Sequence, residues 1–197
     1  EWTNMGPGKP VEVYMDAYVK SMRLCHNIVR RYDAHAWVMA SHTHAWAVAD
    51  NPKTYATREM LEILNDYCRA EGDFRWGLAF HCYPHSLYEP KTWLDEKALY
   101  TDDTPIVTYK NLEVLDRWIR SPRNCYEGRL KRPLWLSENG TNSPSYSERD
   151  QCEQAAGFAW GWKKIAALDG IDAHVWHNWA DHEKEYGLLI GLRKLPK

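Results

Sequence analysis

Hydrophobic residues along the chain alternate between helical spacing and short uninterrupted runs. Apolar positions separated by three and four residues predict amphipathic helices over residues 11–31, 57–68, 111–120 and 147–168. Short apolar runs predict strands over residues 36–40, 75–80, 133–138 and 171–176. Each predicted strand follows a predicted helix. This alternation is typical of an α/β protein with a parallel sheet.

Polar and aromatic residues follow every predicted strand directly. The four clusters are SHTHAW at 41–46, HCYPH at 81–85, ENG at 138–140 and HNWADHE at 177–183. The carboxyl ends of parallel strands meet at one edge of a sheet or one mouth of a barrel, where ligands bind. We therefore expect the four clusters to face a common cleft.

Two architectures accommodate four helix–strand units. A doubly wound sheet can be built from four strands, whereas a (β/α)8 barrel needs eight strands and typically about 250 residues. The chain of 197 residues opens on a loop rich in Gly and Pro and closes soon after a strand. We predict a single domain over residues 1–197 that is the carboxyl-terminal half of a (β/α)8 TIM barrel, from helix 4 to strand 8. Its expected partner is the missing amino-terminal half-barrel or another copy of the chain.

Composition narrows the classes of function. The chain is 44% hydrophobic and 26% charged, with a net charge of −2 and no basic stripe, so no nucleic-acid partner is expected. Apolar runs stay well below the roughly 20 residues of a membrane span. The five cysteines are scattered, without zinc-site spacing or a dense disulfide framework. Eleven Trp and twelve Tyr supply rings that fill cores and also stack on ligands.

One carboxylate stands out at the end of the run PLWLSENG, where a predicted buried strand brings Glu138 to a glycine turn. Taken alone, Glu138 is better explained as a solvated residue that opens a loop or caps the next helix. The positions of several other residues favour a functional site that includes Glu138. Seven chemically capable residues lie within a few positions of predicted strand ends: His42, His44, His81, Tyr83, Glu138, Trp176 and His177.

A metal-dependent hydrolase barrel is one interpretation of these residues. His42 and His44 lie two positions apart, where strand side chains point the same way, and His81 and Asp181 could complete a set of metal ligands. This hypothesis leaves Glu138 and Tyr83 without a role.

The strand ends resemble the last four strands of a large clan of retaining glycoside hydrolases, whose catalytic glutamates end barrel strands four and seven. The resemblance implies that Glu138, in LSENG, is the nucleophile. It also implies that Tyr83, in the element His81-Cys82-Tyr83, hydrogen-bonds that nucleophile. Trp176, or else Trp179, would lie under the sugar beside the scissile bond.

Three segments, SHTHAW, LSENGTNSP and HNWADHEKEYGLLIGL, are more closely similar to a little-characterised bacterial family of glycosidase-like barrels. The resemblance implies a secreted or periplasmic protein without a cofactor. The residues that it implies to bind the carbohydrate are His42, His44, Trp46, His81, Asn139 and His177.

Retaining hydrolysis needs two carboxyl groups about 5–5.5 Å apart. In the clan the acid/base glutamate follows an asparagine, and no Asn-Glu pair precedes the first predicted helix. Glu1 has no preceding residue, so we expect the acid/base upstream of residue 1. The predicted function is therefore a retaining glycosidase acting on a poly- or oligosaccharide. A non-catalytic carbohydrate-binding barrel that has lost one carboxylate remains the third alternative.

Overall fold

A computed structural model describes residues 8–194, in which four α-helices alternate with four β-strands. The helices are α1 (Val11–Val29), α2 (Thr57–Glu71), α3 (Leu112–Arg120) and α4 (Glu148–Ile165). The strands are β1 (Val38–His42), β2 (Trp76–Phe80), β3 (Leu134–Asn139) and β4 (Ala173–Trp176). The predicted α/β class and parallel sheet are confirmed. Glu1 lies outside the described residues.

Local sequence signals account for most of the element boundaries. The hydroxyl of Ser147 caps α4 by accepting a hydrogen bond from the backbone N–H of Asp150 at 3.2 Å. Helix α2 ends at Gly72, whose φ of 93° suits a residue without a Cβ atom. The prediction for β1 was wrong by two residues, because the strand begins at Val38 and continues to His42. His42 is therefore part of the strand and not of the loop after it.

The sheet contains the four strands in chain order, β1-β2-β3-β4, and all three neighbouring pairs are parallel. A doubly wound sheet has a reversal of strand order at its switch point, and this order has none. The pairing of β3 with β4 is irregular between Leu136 and Asn139. Glu138 lies in that irregular segment, a type of feature that re-aims side chains near functional sites.

One face of the sheet carries all four helices. Alternate strand residues join a single hydrophobic core with apolar residues of every helix, as alternation of side chains along a strand requires. The strand residues of this core are Val38, Ala40, Trp76, Leu78, Phe80, Leu134 and Leu136. Its helical members include Met15, Val19, Leu61, Leu64, Leu112, Leu115 and Ile165.

The opposite face of the sheet is uncovered by the described part of the chain. Trp135 and Val175 lie on it and are 45% and 48% exposed. On the same face the thioether of Met39 lies over Gly77, where an added Cβ atom would come within 2.7 Å of the sulfur. Parallel sheets are generally covered on both faces. In residues 8–194 no helix has the length and apolar character needed to cross a membrane.

Candidate active site

A cavity of about 290 Å³ opens at the carboxyl ends of the strands, and Glu138 forms part of its wall. The hydroxyl of Tyr83 donates a hydrogen bond to Oε1 of Glu138 at 3.2 Å. Nδ1 of His81 lies 3.8 Å from the other oxygen, Oε2. The Glu138 side chain is 44% exposed, so a ligand can reach its carboxylate. The structure thus brings together three of the residues singled out in the sequence.

The raised pKa of Tyr83 makes its hydroxyl group the donor in the hydrogen bond to Glu138. Burial raises the pKa of the Tyr83 hydroxyl far above its usual value, and the negative charge of Glu138 raises it further. The phenol therefore keeps its proton at neutral pH. Tyr83 is a permanent donor to Glu138, which accepts through Oε1.

His81 lies between two strands and connects them at the cavity. Its Nε2 is 3.5 Å from Oγ of Ser41 on β1, and its Nδ1 faces Glu138 on β3. Its backbone N–H donates to the carbonyl of His42 at 2.9 Å, which extends the pairing of β1 and β2 beyond Phe80. These contacts hold the imidazole beside the carboxylate.

Asn139 joins the ends of three strands from inside the protein. Its Oδ1 accepts a hydrogen bond from the backbone N–H of Cys82 at 2.7 Å, and its Nδ2 donates to the carbonyl of Val175 at 3.4 Å. The side chain is completely buried. The structure thus places Asn139, predicted to bind substrate, in the interior, where its amide aligns the ends of β2 and β4 against β3.

His177 and Glu185 form a polar pair on the β4 side of the cavity. Nε2 of His177 lies 3.5 Å from Oε2 of Glu185, and the His177 ring is edge-on to the Tyr83 ring at 6.4 Å between centroids. Glu185 was not among the residues predicted from the sequence. The pattern HEKEYG does not distinguish Glu185 from Glu183, because only the conformation of the loop determines that Glu185 is partly buried and Glu183 is exposed.

The two tryptophans expected under the sugar do not line the cavity. The Trp176 ring packs edge-on against Phe158 of α4 at 4.6 Å between centroids, and its Nε1 donates to the carbonyl of Ile190 at 2.7 Å. Because side chains alternate along β4, Trp176 faces the helices and His177 enters the cavity instead. Trp179 is 67% exposed, with the guanidinium of Arg193 4.9 Å from its ring centroid.

Trp46 was also expected to bind the carbohydrate, and the structure places it away from the residues that line the Glu138 cavity. Its side chain is completely buried and its Nε1 donates to the carbonyl of Asp102 at 3.0 Å. The ring packs edge-on against Phe80 and Trp118. Burial of a large ring with its N–H satisfied makes Trp46 a core residue.

His42 and His44 point into different surroundings. His42 belongs to the helix-facing side of β1, is only 5% exposed and lies against the Tyr18 ring. Burial lowers the pKa of His42 to about 3. His44 lies beyond the end of the strand, lines the Glu138 cavity and has its Nε2 3.5 Å from Oδ1 of Asp50. Burial lowers the pKa of His44, and the charge of Asp50 opposes that effect.

The four residues considered as metal ligands do not come together. Asp181 accepts hydrogen bonds from the Tyr146 hydroxyl at 2.9 Å and from the backbone N–H of Gly191 at 2.8 Å, so it holds its own loop. His42 and His44 diverge, because the alternation that would align them ends with β1 at His42. Across residues 8–194 no group of three or more His, Cys, Asp or Glu residues could hold a metal ion.

Fold and site together define an α/β protein whose parallel strands present a carboxylate, a phenol and three imidazoles, those of His44, His81 and His177, to one cavity. The whole chain, residues 1–197, matches the model of a family of unknown function, DUF5722, and the chain belongs to that family. No curated protein and no solved structure matches the chain significantly.

Proposed function

We propose that this chain is the carboxyl-terminal half of a (β/α)8 barrel that acts as a retaining glycoside hydrolase, with Glu138 as the nucleophile. The observation that carries the proposal is the accessible carboxylate of Glu138 at a strand end, held by a phenol that stays protonated. The surrounding imidazoles of His81 and His177 supply further polar groups for sugar hydroxyls.

Three features of the fold support the half-barrel part of the proposal. The strands follow one another in chain order, as they do in a (β/α)8 barrel. All four helices lie on one face of the sheet. The other face carries the exposed side chains of Trp135 and Val175, which correspond to the side chains that fill a barrel interior.

In the proposed mechanism the two oxygens of Glu138 have different tasks. Oε1 accepts the hydrogen bond from Tyr83, which leaves Oε2 to attack the anomeric carbon. A glycosyl ester forms while the leaving oxygen takes a proton from the second carboxyl group. Water, deprotonated by that same group, then attacks the anomeric carbon and releases Glu138 as a carboxylate. We place the second carboxyl group in the half-barrel that precedes α1.

A Glu138→Gln substitution in the full-length protein tests the proposal. A neutral amide is a much weaker nucleophile than a carboxylate and lacks the negative charge that stabilises the transition state, so we expect turnover of glycosides to fall by at least about 10³-fold. Rates on a panel of glycosyl fluorides and oligosaccharides provide the measurement, with the far-UV circular dichroism spectrum as a check on folding. Glu183→Gln is the matched control, since Glu183 lies exposed in the loop after β4, outside the cavity, and should keep its rate.

Two outcomes would overturn the proposal. Near-normal turnover by Glu138→Gln would remove Glu138 as the nucleophile. Saturable binding of oligosaccharides by the full-length protein without any turnover would assign it to carbohydrate binding instead of hydrolysis.

A further inference from the structure

A second cavity of about 290 Å³ lies beside the Glu138 cavity, between the carboxyl end of β1 and helices α1 and α2. The two cavities share Thr43 and Asp50 in their walls. Thr43 and Asp50 therefore mark the boundary between the two cavities. Each cavity is at the lower end of the size range of small-molecule sites.

Three tyrosines form one wall of the second cavity. The rings of Tyr14 and Tyr18 are stacked with their centroids 5.8 Å apart, and the Tyr55 ring lies 5.4 Å from that of Tyr14. All three side chains line the cavity, and the Tyr55 hydroxyl donates a hydrogen bond to the carbonyl of Lys9 at 2.9 Å. Tyrosine rings combine an apolar body, which suits the C–H face of a sugar ring, with a polar hydroxyl group.

His42 supplies a buried polar group to the same cavity. It is more than nine-tenths buried, and its Nε2 has no hydrogen-bond partner in the described part of the chain. A buried polar atom without a partner is costly, which favours a ligand able to bond it. Because burial keeps the imidazole neutral near pH 7, His42 can bond a hydroxyl group but cannot neutralise an anion.

The charges around the second cavity balance. Among the described residues that line it, the charged ones are Asp50 and Lys53, one of each sign. Neither sign dominates, so these described walls lack the excess positive charge that would select a phosphate or carboxylate ligand. The chemistry that fits the walls is an uncharged ring with several hydroxyl groups.

We propose that the second cavity is a sugar subsite, so that the substrate is an uncharged oligosaccharide that spans both cavities and crosses between them at Thr43 and Asp50. This inference rests on the function proposed for Glu138 and adds the substrate class to it. It also gives His42, which lies away from Glu138, a role in binding a second sugar unit.

The experiment compares two kinds of substrate with the full-length protein and with Tyr55→Ala. A monosaccharide glycosyl fluoride occupies only the Glu138 cavity, because fluoride is too small to fill a subsite. An oligosaccharide of two to five units of the same sugar occupies both. We expect the ratio of kcat/KM for the oligosaccharide to kcat/KM for the fluoride to fall about tenfold in Tyr55→Ala, as loss of one aromatic contact of about 1.4 kcal/mol predicts.

Two further variants distinguish a loss of sugar binding from a defect in folding. Lys53→Trp places a bulky ring at an exposed rim position and should lower the same ratio by obstructing the cavity. Tyr32→Ala removes a tyrosine that is 89% exposed after α1 and should leave the ratio unchanged.

Each outcome has one meaning. An unchanged ratio in both Tyr55→Ala and Lys53→Trp, with turnover retained, overturns the second subsite and leaves the role of Glu138 standing. A clear preference for acidic over neutral oligosaccharides of equal length overturns the uncharged substrate. Absence of turnover on every fluoride and oligosaccharide overturns the proposed function and this inference together.

Discussion

Among single residues, Tyr83 has the most direct influence on the candidate nucleophile. Tyr83→Phe removes the donor to Oε1 of Glu138 and little else, since the ring keeps its place. A hydrogen bond to a charged group is worth about 1.5–3 kcal/mol, so we expect kcat/KM to fall by roughly 10- to 100-fold. Steady-state rates of the full-length variant on glycosyl fluorides would measure the loss, which should be smaller than that of Glu138→Gln.

Tyr32→Phe is the control for this prediction, because it removes the same hydroxyl group from a tyrosine on the surface. Its rates should equal those of the wild type. If Tyr83→Phe also retained the wild-type rate, the hydrogen bond to Glu138 would have no catalytic role.

The candidate residues were predictable from the sequence where strand ends alone determined their position. Glu138 lies near the carboxyl end of β3, His81 and Tyr83 follow β2, and the three meet in one cavity, as the convergence of parallel strand ends predicts. Trp176 and Trp46 lie elsewhere, because residue type does not specify which face of an element a side chain occupies. Glu185 could not be predicted from the sequence, because its position depends on how the loop after β4 folds back toward His177.

At the scale of secondary-structure elements, Asn139 is the side chain that aligns neighbouring strand ends. Asn139→Ala would leave the buried N–H of Cys82 without its partner. We expect the free energy of unfolding to fall by about 1–3 kcal/mol, with a lower kcat as the segments bearing Tyr83 and His177 lose their alignment. Urea denaturation followed by tryptophan fluorescence would measure the change in stability.

A second asparagine offers the comparison. Asn27 is exposed on α1, so Asn27→Ala should change stability by less than about 0.5 kcal/mol. Equal urea midpoints for Asn139→Ala and the wild type would show that the contacts of Asn139 with β2 and β4 contribute nothing to stability.

The helices and strands were largely predictable from the sequence, because the spacing of apolar residues differs between the two and indicates which face of each element is buried. Helix α4 also carries its start signal in Ser147. Strand β1 shows where a local pattern is insufficient, since its apolar run ends before the strand does. His42 remains in the strand because it pairs with Phe80 of β2, a tertiary contact that no local pattern contains.

At the scale of the whole molecule, the sequence was sufficient for the alternation of helices and strands and for the parallel sheet. It could not specify what covers the second face of that sheet. Trp135 is the clearest example: it lies in β3 between the buried Leu134 and Leu136, yet it is 45% exposed in the described part of the chain. If the chain is half of a barrel, this face of the sheet forms part of the barrel interior.

The burial of Trp135 in the full-length protein tests that statement. Trp135 and Trp179 are both substantially exposed in residues 8–194, so this structure alone predicts small effects for a charged substitution at either position. If a second half-barrel covers the sheet, Trp135→Lys introduces an unpaired charge into an interior and should lower the free energy of unfolding by at least about 2 kcal/mol. Trp179→Lys, at the rim, should change it by less than about 0.5 kcal/mol. Urea denaturation of both full-length variants would compare them, and equal midpoints would contradict the closed barrel while leaving the four-stranded parallel sheet intact.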